Sequence, residues 1–274
     1  MNHFFSNIRG LIIDMDGVLW HGDLAQPGLV EFFQALRSLN LPFVLATNNA
    51  SLTAEQYVSK LAGMGVAVSV AEILTSGMAT ASYLAARYPA ERTKVFVIGS
   101  HGARQPLLDK GFSLTGLHEL GADLVVSGLD RDLSWDKLAT AALNIRAGAG
   151  FFGTNGDVTL PTEQGFVPGN GATLAALEAA TGVTPTTIGK PEPIIYQQAL
   201  AVLGTEPERT LAIGDRLDTD ILGAVRAGIP SLLVLSGISS LEDIDAVDYA
   251  PNWVMRDIQE LTQALLQSSS GVAS

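Results

Sequence analysis

A chain of 274 residues with 47% hydrophobic residues has room for two domains or one large one and can bury a sizeable core, which argues against a disordered protein. The formal charge of -12, from 28 acids against 16 bases, disfavours a general nucleic-acid binder, which wants a basic surface. With no cysteine, disulfides, thiolate catalysis and Cys-ligated zinc are excluded, and a reducing, cytoplasmic setting fits.

The start, Met1-Asn2-His3-Phe4-Phe5, places no long apolar stretch behind a basic region, so no signal peptide is expected. No run approaches a membrane span, and no membrane partner is expected. Short apolar runs then alternate with helix-like segments, the pattern of an α/β protein with a mainly parallel sheet. Leu11 to Asp14 reads as a strand. Gly28 to Leu39 reads as a helix, with Val30, Phe33 and Leu36 at helical spacing. Pro42 to Thr47 is a buried strand, and Thr53 with Gln56 fits a capping box that opens a helix. A further helix is expected over Met78 to Arg87.

From Lys94 the pattern restarts. Lys94 to Gly99, Ala122 to Ser127 and Gly150 to Asn155 read as strands; Trp135 to Ala147 and Ala172 to Thr181 read as helices. Thr184-Pro185-Thr186-Thr187 resembles a crossing back. A helix (Pro193 to Leu203), a strand (Thr210 to Gly214), a helix (Asp220 to Ala227), a strand (Ser231 to Leu235) and a last helix (Asp257 to Gln267) complete the chain. The tail, Ser268 to Ser274, is small and polar and is expected to fray.

Four strand ends or crossings carry chemistry-bearing residues. In Leu11-Ile12-Ile13-Asp14-Met15-Asp16-Gly17 an apolar strand ends in two carboxylates one residue apart. Alternation would aim both to one side, where like charges repel; a cation, a shared proton, or both would relieve that. The pair suggests a carboxylate that attacks beside one that carries a proton, against the blander alternative of a solvated strand end. Thr47-Asn48-Asn49 offers a hydroxyl and backbone N–H groups for phosphate oxygens, or simply a helix-capping turn. Lys190, between Gly189 and Pro191, stands where it would neutralise a phosphate, unless it is merely solvated. Gly214-Asp215 ends another strand, with Asp218 and Asp220 following at a helix start. Ligands of open parallel sheets bind at such ends.

Taken in order, these segments resemble the haloacid dehalogenase-like hydrolases, and most of all their p-nitrophenylphosphatase type with a large cap (class IIA). The family order D-x-D-G, then S/T, then K, then G-D-x-x-x-x-D reads here as Asp14-Met15-Asp16-Gly17, Thr47, Lys190, and Gly214-Asp215 through Asp220. Finer similarity runs through Gly17-Val18-Leu19-Trp20, Ser127-Gly128-Leu129-Asp130, Thr154-Asn155-Gly156-Asp157 and Pro168-Gly169-Asn170-Gly171. The resemblance implies a doubly wound, Rossmann-like core with an inserted α/β cap, and a Mg²⁺-dependent phosphatase working through an aspartyl-phosphate. Asp14 would be the nucleophile and Asp16 the acid and base. Mg²⁺ would be held by the Asp14 and Asp215 carboxylates and the Asp16 carbonyl, with Asp220 orienting a water on it. Thr47, the Asn48 N–H and Lys190 would hold the phosphoryl group. The resemblance fixes no role for Asp218, for which a surface or helix-capping position stands beside a part in the site. An acid at Asp16 disfavours carbon–halogen chemistry, because the dehalogenase branch needs no leaving-group acid there.

Only 32 residues separate Asp14 from Thr47, too few for an inserted cap, whereas 142 lie between Thr47 and Lys190. The expected organisation is therefore a core of residues 1–79 and 185–274 with a cap of residues 80–184 that selects the substrate. Asn155, Asp157 and Leu160 are the candidate specificity residues, with Asp130 and Arg131 behind them. Some family members carry a histidine near Leu160 for a cofactor-phosphate substrate; leucine argues against that substrate. Related proteins often pair through the cap, which leaves a homodimer open. The expected substrates are small phosphorylated metabolites, with sugar phosphates, nucleoside monophosphates, glycerol phosphate and p-nitrophenyl phosphate all open. A phosphotransferase or mutase would share the first half-reaction, and a binding protein on the same fold is the third reading. His21 lies near the first motif but in the segment beside it, His3, His101 and His118 lack partners at metal spacing, and Trp20, Trp135 and Trp253 read as packing residues.

Overall fold

The computed structural model describes residues 7–162 and 164–270. These divide into two compact units: one comprises the described residues up to Thr47, Tyr57–Leu74 and those from Pro191 onward, the other Asn48–Gln56 and Thr75–Lys190.

The first unit is built on a six-stranded sheet, in spatial order Trp253–Met255, Ser231–Val234, Thr210–Gly214, Gly10–Ile13, Phe43–Thr47, Ile73–Thr75. Its inner strands are buried along their whole length, which is why they read as unbroken apolar runs rather than alternating ones. Gly10–Ile13 pairs in parallel with Phe43–Thr47 on one side and Thr210–Gly214 on the other. The chain thus builds outward in one direction from its first strand and later in the opposite direction. The reversal falls at Gly10–Ile13 and Thr210–Gly214, the place where ligands of doubly wound sheets bind. Helix Leu29–Ser38 packs on Ile258–Ser270, and Pro193–Leu203 on Leu222–Ala227. Pro193 opens its helix at the first turn, where its missing N–H costs nothing, and Gly204 ends it in the left-handed conformation.

The second unit is a five-stranded sheet in the order Thr186–Thr187, Gly150–Gly153, Leu124–Ser127, Lys94–Ile98, Ser113–Leu114, with every pairing parallel. Phe96, Ile98, Val125, Ile145, Phe151 and Leu177 form its core. Helices Ser76–Ala85 and His101–Asp109 pack together, as do Trp135–Arg146 and Asn170–Thr181. An antiparallel hairpin, Thr159–Thr162 with Gly165–Pro168, stands apart from the sheet.

The expected elements fall within a few residues of those observed, and the capping box forms: Gln56 Oε1 accepts from Thr53 N–H at 2.8 Å, and Thr53 Oγ1 from Gln56 N–H at 3.4 Å. Several expectations need correction. Trp135 is 78% exposed on the first turn of its helix and is not a packing residue. Ser268 to Ser270 continue the last helix rather than fray, because the apolar face of Ile258, Leu261 and Leu265 anchors it; residues 271–274 lie outside the described residues, as does His3. Leu217–Ile221 is a π-helical turn, so the α-helix expected from Asp220 begins at Leu222. Among the described residues no helix is long and apolar enough to cross a membrane.

Candidate active site

Parallel register brings two acids from opposite ends of the chain to one edge of the first unit's sheet. Ile13 pairs with Ile213, and Asp14 N–H donates to Ile213 O at 2.8 Å, so Asp14 and Asp215 leave adjacent strands together. Asp220 is brought back to the same point by the π-helical turn, in which its N–H donates to Arg216 O at 3.0 Å and its Oδ2 accepts from Arg216 N–H at 3.1 Å. Such turns recur at functional sites. Tyr196 secures it from outside by donating its hydroxyl to Asp220 O at 2.8 Å.

The result is a cluster of one oxygen each from Asp14, Asp215 and Asp220, all within 4.8 Å of one another and all buried. Two glycines make this closeness achievable. A Cβ on Gly214 would clash with the Asp220 side chain, and one on Gly17, whose φ is +83°, would clash with the Asp215 carboxylate. Asp215 is further fixed by Ile238 N–H, which donates to its Oδ2 at 2.8 Å. Three buried carboxylates that close repel unless a cation joins them. An all-oxygen, strongly anionic donor set is the chemistry of a hard divalent ion, so the residues present fit one. The Asp16 carboxylate is not part of this cluster. It stands exposed in the turn after the strand, and its Oδ1 accepts from the Trp20 indole N–H at 2.9 Å.

Thr47 ends its strand with its side chain buried, hydrogen-bonded to the Tyr57 hydroxyl. Burial, reinforced by the charges of Asp16 and Asp14, holds the Tyr57 phenol well above its ordinary pKa, so it stays neutral. Asp218 lies outside the cluster, exposed and paired with Arg216 at 2.7 Å. His21 is exposed and reaches Ser236 O at 2.6 Å.

The remaining predicted residues belong to the second unit, where one network ties them together. Asn48 Oδ1 accepts from Lys190 N–H at 2.7 Å, and Asn48 Nδ2 donates to Lys190 O at 2.8 Å and to Asp157 Oδ2 at 3.1 Å. Asn155 Nδ2 donates to Asn48 O at 2.7 Å, and Asn170 Nδ2 to Asn155 O at 2.7 Å. Lys190 is buried. Leu160 is half-buried in the hairpin, opposite Val167. Asp130 is tied to Lys137 at 2.8 Å and Arg131 is exposed.

Sequence reading missed Tyr57 and the roles of Trp20 and Asn170. Trp20 and Asn170 lay inside quoted motifs, but nothing local shows where an indole N–H or an amide points; Tyr57 sits on an ordinary amphipathic helix.

Residues 11–113 match the family model described as haloacid dehalogenase-like hydrolase, and residues 187–261 match the one described as HAD-hydrolase-like. The acid sugar phosphatase of Staphylococcus epidermidis is 36% identical, over 94% of this chain and 96% of its own length. The 5'-nucleotidase YutF of Bacillus subtilis is 37% identical, over 90% of this chain and 97% of its own length. Among solved structures, the glycerol phosphate phosphatase Rv1692 of Mycobacterium tuberculosis, in complex with magnesium, superposes with a TM-score of 0.88 at 35% identity, over 96% of this chain and 79% of that one. A doubly wound parallel sheet with acids gathered at its reversal point defines an α/β protein with a site suited to a hard cation. The chain belongs to the haloacid dehalogenase-like hydrolases and is an enzyme of their phosphoester-hydrolysing branch.

Proposed function

We propose that this protein is a Mg²⁺-dependent phosphomonoesterase that hydrolyses small phosphorylated metabolites through an aspartyl-phosphate on Asp14. The observation that carries this reading is the buried cluster of Asp14, Asp215 and Asp220 at the sheet's reversal point, with Asp16 exposed one turn away. The similarity to a magnesium-bound phosphatase and to a sugar phosphatase and a nucleotidase supports it. Sugar phosphates, nucleoside monophosphates and glycerol phosphate are the substrate classes, and p-nitrophenyl phosphate is a convenient assay substrate.

The Asp14 and Asp215 carboxylates and the Asp16 carbonyl would hold the ion, and Asp220 would orient a water on it. When bound, Mg²⁺ supplies positive charge for the phosphoryl oxygens and brings nucleophile and phosphate together. The chain does the rest. An Asp14 oxygen attacks phosphorus while the ester P–O bond breaks, and the leaving oxygen takes the proton of Asp16. Asp16, now ionised, removes a proton from a water that attacks the same phosphorus, and the bond to Asp14 breaks to release inorganic phosphate. Thr47, the Asn48 N–H and Lys190 hold the transferring group. Residues 80–184 act as the cap, with Asn155, Asp157 and Leu160 selecting the leaving group, and a homodimer paired through that cap stays open. Local positive charge from one ion and one lysine is what lets so acidic a chain accept an anion, since its diffuse charge is screened by salt.

The test is release of p-nitrophenol with Mg²⁺, with EDTA, and in Asp14→Asn. Activity only in the first confirms the reading; equal activity in all three overturns it. Transfer to an added alcohol exceeding hydrolysis would make the protein a phosphotransferase instead.

A further inference from the structure

Trp20 is fully buried, and a buried indole needs a partner for its N–H. Here the partner is neither a backbone carbonyl nor a structural amide but Oδ1 of the exposed Asp16, at 2.9 Å. The ring itself is held. Tyr57 stacks on it with centroids 6.3 Å apart and planes 18° from parallel, and the Lys60 ammonium lies 4.7 Å from its centroid while donating to Gly22 O at 2.7 Å. The same turn is closed by Gly17 N–H donating to Trp20 O at 2.8 Å. A rigid, immobilised donor therefore reaches from the core to one oxygen of an otherwise solvated carboxyl.

We propose that Trp20 is the positioning residue for the acid–base carboxyl, fixing Asp16 Oδ1 so that Oδ2 exchanges the proton with the leaving oxygen and then with water. This rests on the phosphatase reading above. An indole N–H donates and never accepts, so it stays bonded to an oxygen lone pair in either state of the carboxyl. Without it, an exposed aspartate samples several rotamers, few of which place an acid within reach of the ester oxygen. Proton donation matters most when the leaving group is poor. An alkoxide must be protonated as it departs, whereas p-nitrophenolate leaves without help. Loss of positioning therefore carries a signature that loss of packing does not.

The experiment compares kcat/KM, which reports the step in which the ester bond breaks, for glycerol phosphate and p-nitrophenyl phosphate in the wild type, Trp20→Phe, Asp16→Asn and the double variant. Trp20→Phe is expected to lose about 30- to 100-fold on glycerol phosphate and less than about 3-fold on p-nitrophenyl phosphate, a share of what a general acid contributes. Added to Asp16→Asn it should cost nothing more, since both act through one carboxyl. If Trp20→Phe folds poorly, placing 3-benzothienylalanine at position 20 removes the N–H and keeps the shape, and the same selective loss is expected. Equal loss on both substrates, no loss on either, or an additive double variant overturns the proposal. Asp16→Asn without leaving-group selectivity would instead refute Asp16 as the acid, and the role of Trp20 with it; a selective Asp16→Asn beside an unselective Trp20→Phe refutes Trp20 alone.

Discussion

Asn48 holds Lys190 by both ends of its main chain: its Oδ1 accepts from the Lys190 N–H at 2.7 Å and its Nδ2 donates to the Lys190 carbonyl at 2.8 Å, across 142 positions of sequence. A side-chain amide donates and accepts in this paired fashion without any change of protonation. Asn48 therefore serves twice, by its own N–H in the proposed phosphate site and by its side chain in fixing where the buried lysine sits. Asn48→Ala should raise KM about tenfold or more and lower the melting temperature, since freed buried backbone groups cost about 1–3 kcal/mol each. Asn48→Asp should be worse, because a second carboxylate oxygen would face the Lys190 carbonyl and Asp157. Steady-state kinetics and thermal melts of both variants check this; an Asp variant as good as wild type would refute the paired bond.

The acid cluster sets a stability expectation with opposite signs in two conditions. In EDTA, Asp220→Asn removes one of three mutually repelling buried charges and should raise the melting temperature by a few degrees. Saturating Mg²⁺ should then stabilise the variant less than the wild type, since a ligand stabilises in proportion to its affinity for the native state. Differential scanning fluorimetry with and without Mg²⁺ reads both. A variant less stable in EDTA and equally responsive to Mg²⁺ would show that the three acids do not act together.

Gly214 lies under Asp220, and an added methyl there has no room. Gly214→Ala should displace Asp220 and reduce kcat by about tenfold or more while the strand pairing of Thr210–Gly214 survives. A near-native circular dichroism spectrum beside a large fall in kcat is the expected pair; unchanged kcat would mean that Asp220 is not needed where it stands.

Tyr57 supplies a pH dependence. Burial first, then the charges of Asp16 and Asp14, raise its pKa in the folded protein. Below about pH 10 the phenol is neutral folded and unfolded, and it contributes no slope. Above that, the unfolded chain ionises while the folded one keeps its proton, so stability falls as pH rises. Tyr57→Phe should flatten the decline in melting temperature above about pH 10, and should lower stability at neutral pH through the lost bond to Thr47. Parallel pH–melting curves for the two proteins would show that Tyr57 ionises freely.

The alternation of apolar runs and helical periodicity located most elements to within a few residues, Thr210–Gly214 and Pro193–Leu203 at both ends. It failed on the edge strands Ile73–Thr75, Trp253–Met255 and Thr186–Thr187, which are two or three residues long and exist only because a neighbouring strand supplies hydrogen bonds. Helix His101–Asp109, with Pro106 inside it and polar residues at His101, Arg104, Gln105 and Asp109, likewise had no local signal strong enough to stand out.

By itself the sequence determined the parallel α/β class, the residues that carry charge at strand ends, and the family to which Asp14, Asp16, Thr47, Lys190, Asp215 and Asp220 belong. These are properties of near neighbours along the chain: periodicity, a turn glycine, an acid after an apolar run. Only the tertiary structure decided that an Asp220 oxygen comes within 4.8 Å of those of Asp14 and Asp215, that Trp20 reaches Asp16 rather than a backbone carbonyl, and that the Asn48 side chain grips Lys190. Strand register and side-chain direction set those pairings. Both are fixed by packing between segments that the chain order leaves far apart.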